Sequence, residues 1–158
     1  MNTIKELHEN LKIFLYRKDV FELLEEAGCG WLDGGCRSLM KAIALWLGEE
    51  HITYYQIVKH PNDNHSEHAL IKVGNFFLDG DGISTYDEML HRWLTEELVG
   101  IRNGILYIQM FNPGTEPPHK PTGEKPFYIE EDKILLLSAK LEETFDKENV
   151  LKTLKEQR

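Results

Sequence analysis

The sequence predicts a single α+β domain in which a cysteine-bearing helix packs on an antiparallel β-sheet. Two observations lead there. Apolar residues recur at helical spacing through most of the first 47 positions, and between Ile52 and Asp79 the pattern changes to that of strands. At 158 residues, with 41% apolar and 10% aromatic side chains, the chain is long enough to enclose one core, so one domain over 1–158 is expected.

Ile4, Leu7, Leu11, Phe14 and Leu15 fall on one helical face, as do Val20, Phe21, Leu23 and Leu24. They predict one bent or two short helices ending by Ala27, where Gly28-Cys29-Gly30 stops the pattern. After the turn-rich stretch from Trp31 to Gly35, a strong helix is expected from Cys36 to Leu47, with Leu39, Met40, Ile43, Ala44 and Leu47 facing the core. Ile52 to Lys59 is rich in β-branched and aromatic residues and reads as a strand. The alternation through His68–Val73, the turn-forming pair Gly74-Asn75 and the segment Phe76–Asp79 predict a tight hairpin. Ser84 is the expected N-cap of a helix reaching about Leu98, with Asp87 and Glu88 in its first turn. Gly104 to Phe111 reads as a further strand, and 112–126, with five prolines, as an exposed loop. Phe127–Ile129 and Ile134–Leu137 are expected as short strands, before a closing helix over about 138–157.

Charge and composition narrow the function classes. A formal net charge of −9, from 27 acidic and 18 basic side chains, disfavours nucleic acid and anionic membrane surfaces as partners. No apolar run approaches the roughly 20 residues of a membrane span. The segment Met1–His8 is polar and amphipathic rather than a signal peptide, so a cytoplasmic location is expected. Cys29 and Cys36 do not form a CxxC pair, and no second pair could complete a zinc site. His60, His65 and His68 with Asp79 and Asp81 lack any regular ligand spacing, and the Asp79–Ser84 run misses the glycine position of an EF-hand loop. Neither a metal nor another cofactor is expected. No P-loop, dinucleotide fingerprint or serine nucleophile elbow is present.

What remains is a thiol, an imidazole and two carboxylates. Cys36 follows two glycines and opens a helix, whose unpaired N–H groups and dipole favour a thiolate. Its own N–H, with another donor from the 30–35 turn such as Gly35, is placed to hold an oxyanion. A small buried cysteine at a helix start is the plainer alternative. His68 begins a strand about thirty residues later, where a general base would stand beside the thiol. If Gly74-Asn75 is the turn, His68 lies opposite Asp81 and diagonal to Asp79, with both carboxylates on its own face. Either one can fix the imidazole tautomer, and spacing does not choose between them. Trp46 and Trp93 read as core residues, whereas Trp31, next to the cysteine turn, is a candidate wall of a substrate cleft.

The motifs Gly35-Cys36-Arg37-Ser38-Leu39, His68-Ala69-Leu70-Ile71-Lys72-Val73-Gly74 and Phe77-Leu78-Asp79-Gly80 resemble the papain-like superfamily. The likeness spans about residues 28–95, within a catalytic core of about 28–111. It is nearest to small bacterial papain-fold proteins, including toxin-associated domains, with transglutaminases and arylamine acetyltransferases more distant. The resemblance implies Cys36 as nucleophile, His68 as base and Asp79, rather than Asp81, as orienting carboxylate. It further implies an amidase, deamidase, peptidase or acyltransferase acting on a protein or peptide-like amide through a thioester. Papain-type peptidases carry a Gln six positions before the cysteine, where this chain has Gly30. A second function class follows from that difference and the acidic surface: a papain-fold binding module that inhibits or regulates a protein partner.

Overall fold

The computed structural model describes residues 3–32, 34–60, 67–97, 106–112 and 127–156. Helix α1 (Ile4–Leu15) begins where the Thr3 hydroxyl accepts from the Glu6 N–H at 3.1 Å, and it buries Leu7, Leu11, Phe14 and Leu15. A short helix α2 (Lys18–Phe21) and a 3-10 turn (Glu22–Leu24) follow, so the amino-terminal helical region is broken rather than bent. Helix α3 (Cys36–Leu47) buries ten of its 12 residues. It is therefore the central helix of the domain, enclosed on more sides than one apolar stripe would require.

The sheet is antiparallel and five-stranded, in the order β4-β3-β2-β1-β5, with β1 (Thr53–Val58), β2 (His68–Val73), β3 (Phe76–Asp79), β4 (Gly82–Ser84) and β5 (Tyr107–Phe111). Gly74 has φ +60° and Val73 pairs with Phe76, which fixes the two-residue turn and the register expected from Gly74-Asn75. Ala69, Ile71, Val73, Phe76 and Leu78 join the core formed with α1, α3 and the two carboxy-terminal helices. Leu70 and Phe77 face the other way, toward a smaller cluster with Met89, Trp93 and Leu106. His68 and Asp79 share the parity of this second face.

Four local expectations are corrected. Ser84 belongs to β4, and Thr85 is the N-cap of α4 (Tyr86–Arg92), where it forms a reciprocal capping box with Glu88. The Ser84 hydroxyl is instead held by Arg92 Nη1 at 2.8 Å. Beyond α4 the chain widens into a π-helical turn, Trp93–Glu97; Leu98 lies outside the described residues, as do 61–66, 98–105 and 113–126. Phe127–Ile129 forms no strand, and Ile134–Leu137 lies in helix α5 (Glu131–Thr144). There Ile134 and Leu137 are buried while Leu135 and Leu136 are exposed, so the apolar run concealed a helical period.

The closing helix is also two helices, α5 and α6 (Lys147–Glu156). Phe145 breaks them apart by taking an extended φ of −119°. Its ring lies 5.6 Å from that of Phe14 and 5.8 Å from that of Trp46, so core insertion of one aromatic offsets the interrupted helix. Among the described residues, no helix is long and apolar enough to cross a membrane.

Candidate active site

The site forms at one end of the sheet, where β2 begins, β3 ends and α3 starts. Two close approaches of backbone set its frame. Gly35, the N-cap of α3, donates its N–H to the Gly30 carbonyl at 2.9 Å, and a Cβ there would stand 2.7 Å from that same oxygen. Gly80, next to Asp79, packs on the other side of this loop, with space for a Cβ closed off by Trp31 Cβ at 2.5 Å. The cysteine loop is thereby keyed to the end of β3. Alanine at Gly80 is expected to cost about 1–3 kcal/mol by overpacking, read as a lower urea midpoint with an unchanged slope.

His68 and Asp79 are in direct contact: Nε2 donates to Asp79 Oδ2 at 2.9 Å, in surroundings where His68 is 0% and Asp79 4% exposed. The other Asp79 oxygen accepts from the Asp81 backbone N–H at 2.9 Å. With Nε2 committed, Nδ1 is the nitrogen left for Cys36, whose thiol interacts with the ring. Nδ1 meets no partner in full hydrogen-bond alignment, yet the thiol and the ring shift each other by hydrogen bonding and by charge.

The electrostatics of the three groups are coupled. Burial pushes the Cys36 thiol up, but His68, a backbone hydrogen bond from Ala69 and the Arg37 charge outweigh it, leaving the thiol below its ordinary value. Burial likewise disfavours the imidazolium, yet Asp79 and Cys36 together raise His68 to about 9. Burial opposes the Asp79 carboxylate too, and is overcome by His68 and then Arg92, so Asp79 stays ionised. The three shifts all run toward thiolate, imidazolium and carboxylate in a row.

Asp81 does not hold the imidazole. Its carboxylate lies 2.6 Å from Arg92 Nε, an ionic contact that is not aligned as a hydrogen bond. Burial and the Asp79 charge raise its pKa. Asp79, at the end of β3, therefore reaches the ring, whereas Asp81, expected opposite His68, lies in the turn between β3 and β4 and meets α4 instead.

Two further expectations change. Trp31 is 1% exposed, and its Nε1 donates to the Leu15 carbonyl at 2.7 Å, so it closes the end of α1 instead of lining a cleft. The Gly35 N–H is spent on Gly30, which removes it as an oxyanion donor.

Trp93 is buried in the second cluster, as a core or pocket-wall residue is expected to be, and its ring lies against His68, with centroids 4.4 Å apart and planes at 31°. One residue in the site escaped the sequence reading. Arg92 was not singled out; its Nη2 donates to Asp79 Oδ2 at 3.4 Å, the same oxygen that holds His68. The usable signal was slight: a cation in the last turn of a helix that follows two aspartates. Among the described residues, no group of three His, Cys, Asp or Glu is arranged to hold a metal ion. His65 is outside them.

The chain matches no protein-family model, no curated protein and no solved structure.

Proposed function

We propose that this protein is a papain-like cysteine hydrolase or acyltransferase that acts on a protein or peptide-like amide. The observation that carries the reading is the buried run of Cys36, His68 and Asp79, with the thiol shifted down and the imidazole up. A structural cysteine in an apolar setting would be shifted up instead.

In this reading the Cys36 thiolate attacks the amide carbon and the C–N bond breaks after His68 has given its proton to the leaving amine. The Asp79 carboxylate holds the ring and stabilises its charge between the two steps. The developing oxyanion is met by the first N–H groups of α3, which have no partner within the helix. The resulting thioester is resolved by water in an amidase, deamidase or peptidase, or by an amine in a transferase. No cofactor enters these steps.

The test is trapping of that thioester. A panel of activated acyl esters and glutamine-bearing peptides is expected to add an acyl mass to Cys36 that hydroxylamine removes. Acylation confined to Cys29, or insensitive to replacement of His68, sinks the proposal.

One observation favours the second reading, a binding module that regulates a protein partner. Cys36 is only 4% exposed and Trp93 lies over His68, so the site is closed as it stands. If Cys36→Ala retains the full biological effect of the protein, the binding reading replaces the enzymatic one.

A further inference from the structure

On the outer side of the Asp79–Arg92 contact, α1, β4 and α4 enclose a cavity of about 600 Å³. That size suits a small ligand. Its lining is charged: Lys5, His8 and Lys12 come from α1, Arg92 and Glu88 from α4, and Asp81 from the turn before β4. A protein of net charge −9 thus gathers a basic group here.

The two acids of the cavity are already engaged. Glu88 Oε1 accepts from the Thr85 N–H at 2.9 Å in the capping box, and Asp81 lies on Arg92. His8 Nδ1 accepts from the Ile83 N–H at 2.9 Å, which fixes α1 against β4 and makes Nε2 the N–H-bearing nitrogen of the neutral ring. Lys5 and Lys12 are exposed on the α1 side. Within the wall, Arg92 Nε and Asp81 Oδ2 are both buried, and neither has an aligned hydrogen-bond partner. The two atoms are 2.6 Å apart in an ion pair that lacks hydrogen-bond alignment, so an anion of better geometry can compete with Asp81 for a guanidinium that also reaches Asp79.

We propose that this cavity binds a small oxyanion, a carboxylate or phosphate group, through Lys5, Lys12 and Arg92, and that Arg92 transmits its presence to Asp79. The coupling half of this proposal rests on the cysteine-enzyme reading above; the binding half does not. A ligand carboxylate or phosphate competes with Asp81 and Asp79 for the guanidinium. It also brings a negative charge toward the triad, which strengthens proton binding at each of its members. The site would then turn occupancy by an anionic metabolite or an acidic side chain into a change of thiol reactivity.

Two probes separate the possible sources of the anion: inorganic phosphate and succinate, each titrated by calorimetry at constant ionic strength. The full chain is expected to bind at least one of them, and the Lys5→Ala/Lys12→Ala double variant, checked for an unchanged melting temperature, is expected to lose that binding about tenfold or more. Binding by phosphate alone identifies a phosphate site, and binding by succinate alone a carboxylate site. No binding of either, or equal binding by the double variant, overturns the proposal.

Coupling is read separately, as the pH profile of Cys36 alkylation followed by mass mapping. With the anion bound, the acid limb of the profile is expected to move to higher pH, slowing alkylation on that limb by about threefold. A profile unmoved by a saturating anion removes the link through Arg92 while leaving the calorimetric result in place. A Cys36 that shows no elevated reactivity with or without anion is a failure of the enzyme reading, and is recognisable as such.

Discussion

Alanine in place of His68 is expected to slow iodoacetamide alkylation of Cys36 at neutral pH by at least about tenfold, leaving Cys29 unaffected. The imidazole is the largest of the influences that lower the thiol, and without it burial, which disfavours the thiolate, dominates. Cys29 is in no disulfide and only half-buried, so it serves as an internal standard for access. Before substitution Cys36 is expected to react faster than Cys29 in spite of its deeper burial. Because removing a fully buried ring opens a cavity, His68→Gln is the companion variant, with the near-ultraviolet circular dichroism of each compared with the parent. Equal rates for the two cysteines in the parent protein would show that Cys36 is structural.

The second large effect separates the two carboxylates. Asp79→Asn is expected to lower turnover of any amide or ester substrate about a thousandfold or more, since the acceptor that orients the ring is lost. It is also expected to destabilise the fold by about 3 kcal/mol, because Arg92 and His68 are left around a neutral group in a buried place. Asp81→Asn is expected to change stability by less than about 1 kcal/mol and to leave alkylation of Cys36 near the parent rate. Its carboxylate sits near that of Asp79, and the relief of that repulsion offsets the weakened contact to Arg92. Inactivation by Asp81→Asn with an active Asp79→Asn would reverse the assignment of the third residue.

Local chemistry made part of this site readable in advance. Gly74-Asn75 sets a two-residue turn, and the turn sets a register that puts His68 and Asp79 on one face. Gly34-Gly35 before Cys36 marks a helix start, and the mixed α and β character follows from the change of period after Leu47. What could not be read are partners that exist only after packing. Trp31 donates to a carbonyl 16 residues earlier, and nothing in its neighbourhood in the sequence announces Leu15. Arg92 meets Asp79 across 13 positions, because α4 folds back along β3 and β4. The leucine run at 134–137 satisfies strand and helix alike until the rest of the core decides which side chains are covered.

The opposed shifts of Cys36 and His68 have a consequence for the proton inventory of folding. His68 is raised to about 9, so its contribution to stability is full below the unfolded imidazole value and fades as pH rises through 9. Cys36 is lowered, so its contribution is full above the unfolded thiol value and fades as pH falls through its folded one. At a pH above both the folded thiol value and the unfolded imidazole value, and below about 9, the unfolded pair carries one proton, on sulfur, and the folded pair carries one proton, on nitrogen. Folding moves that proton from one residue to the other and exchanges none with the solvent. Within that window the buried pair is therefore invisible in the pH dependence of stability, although it contains two of the shifted groups of the molecule. Unfolding followed in buffers of different ionisation enthalpy would register the same heat from this pair in each.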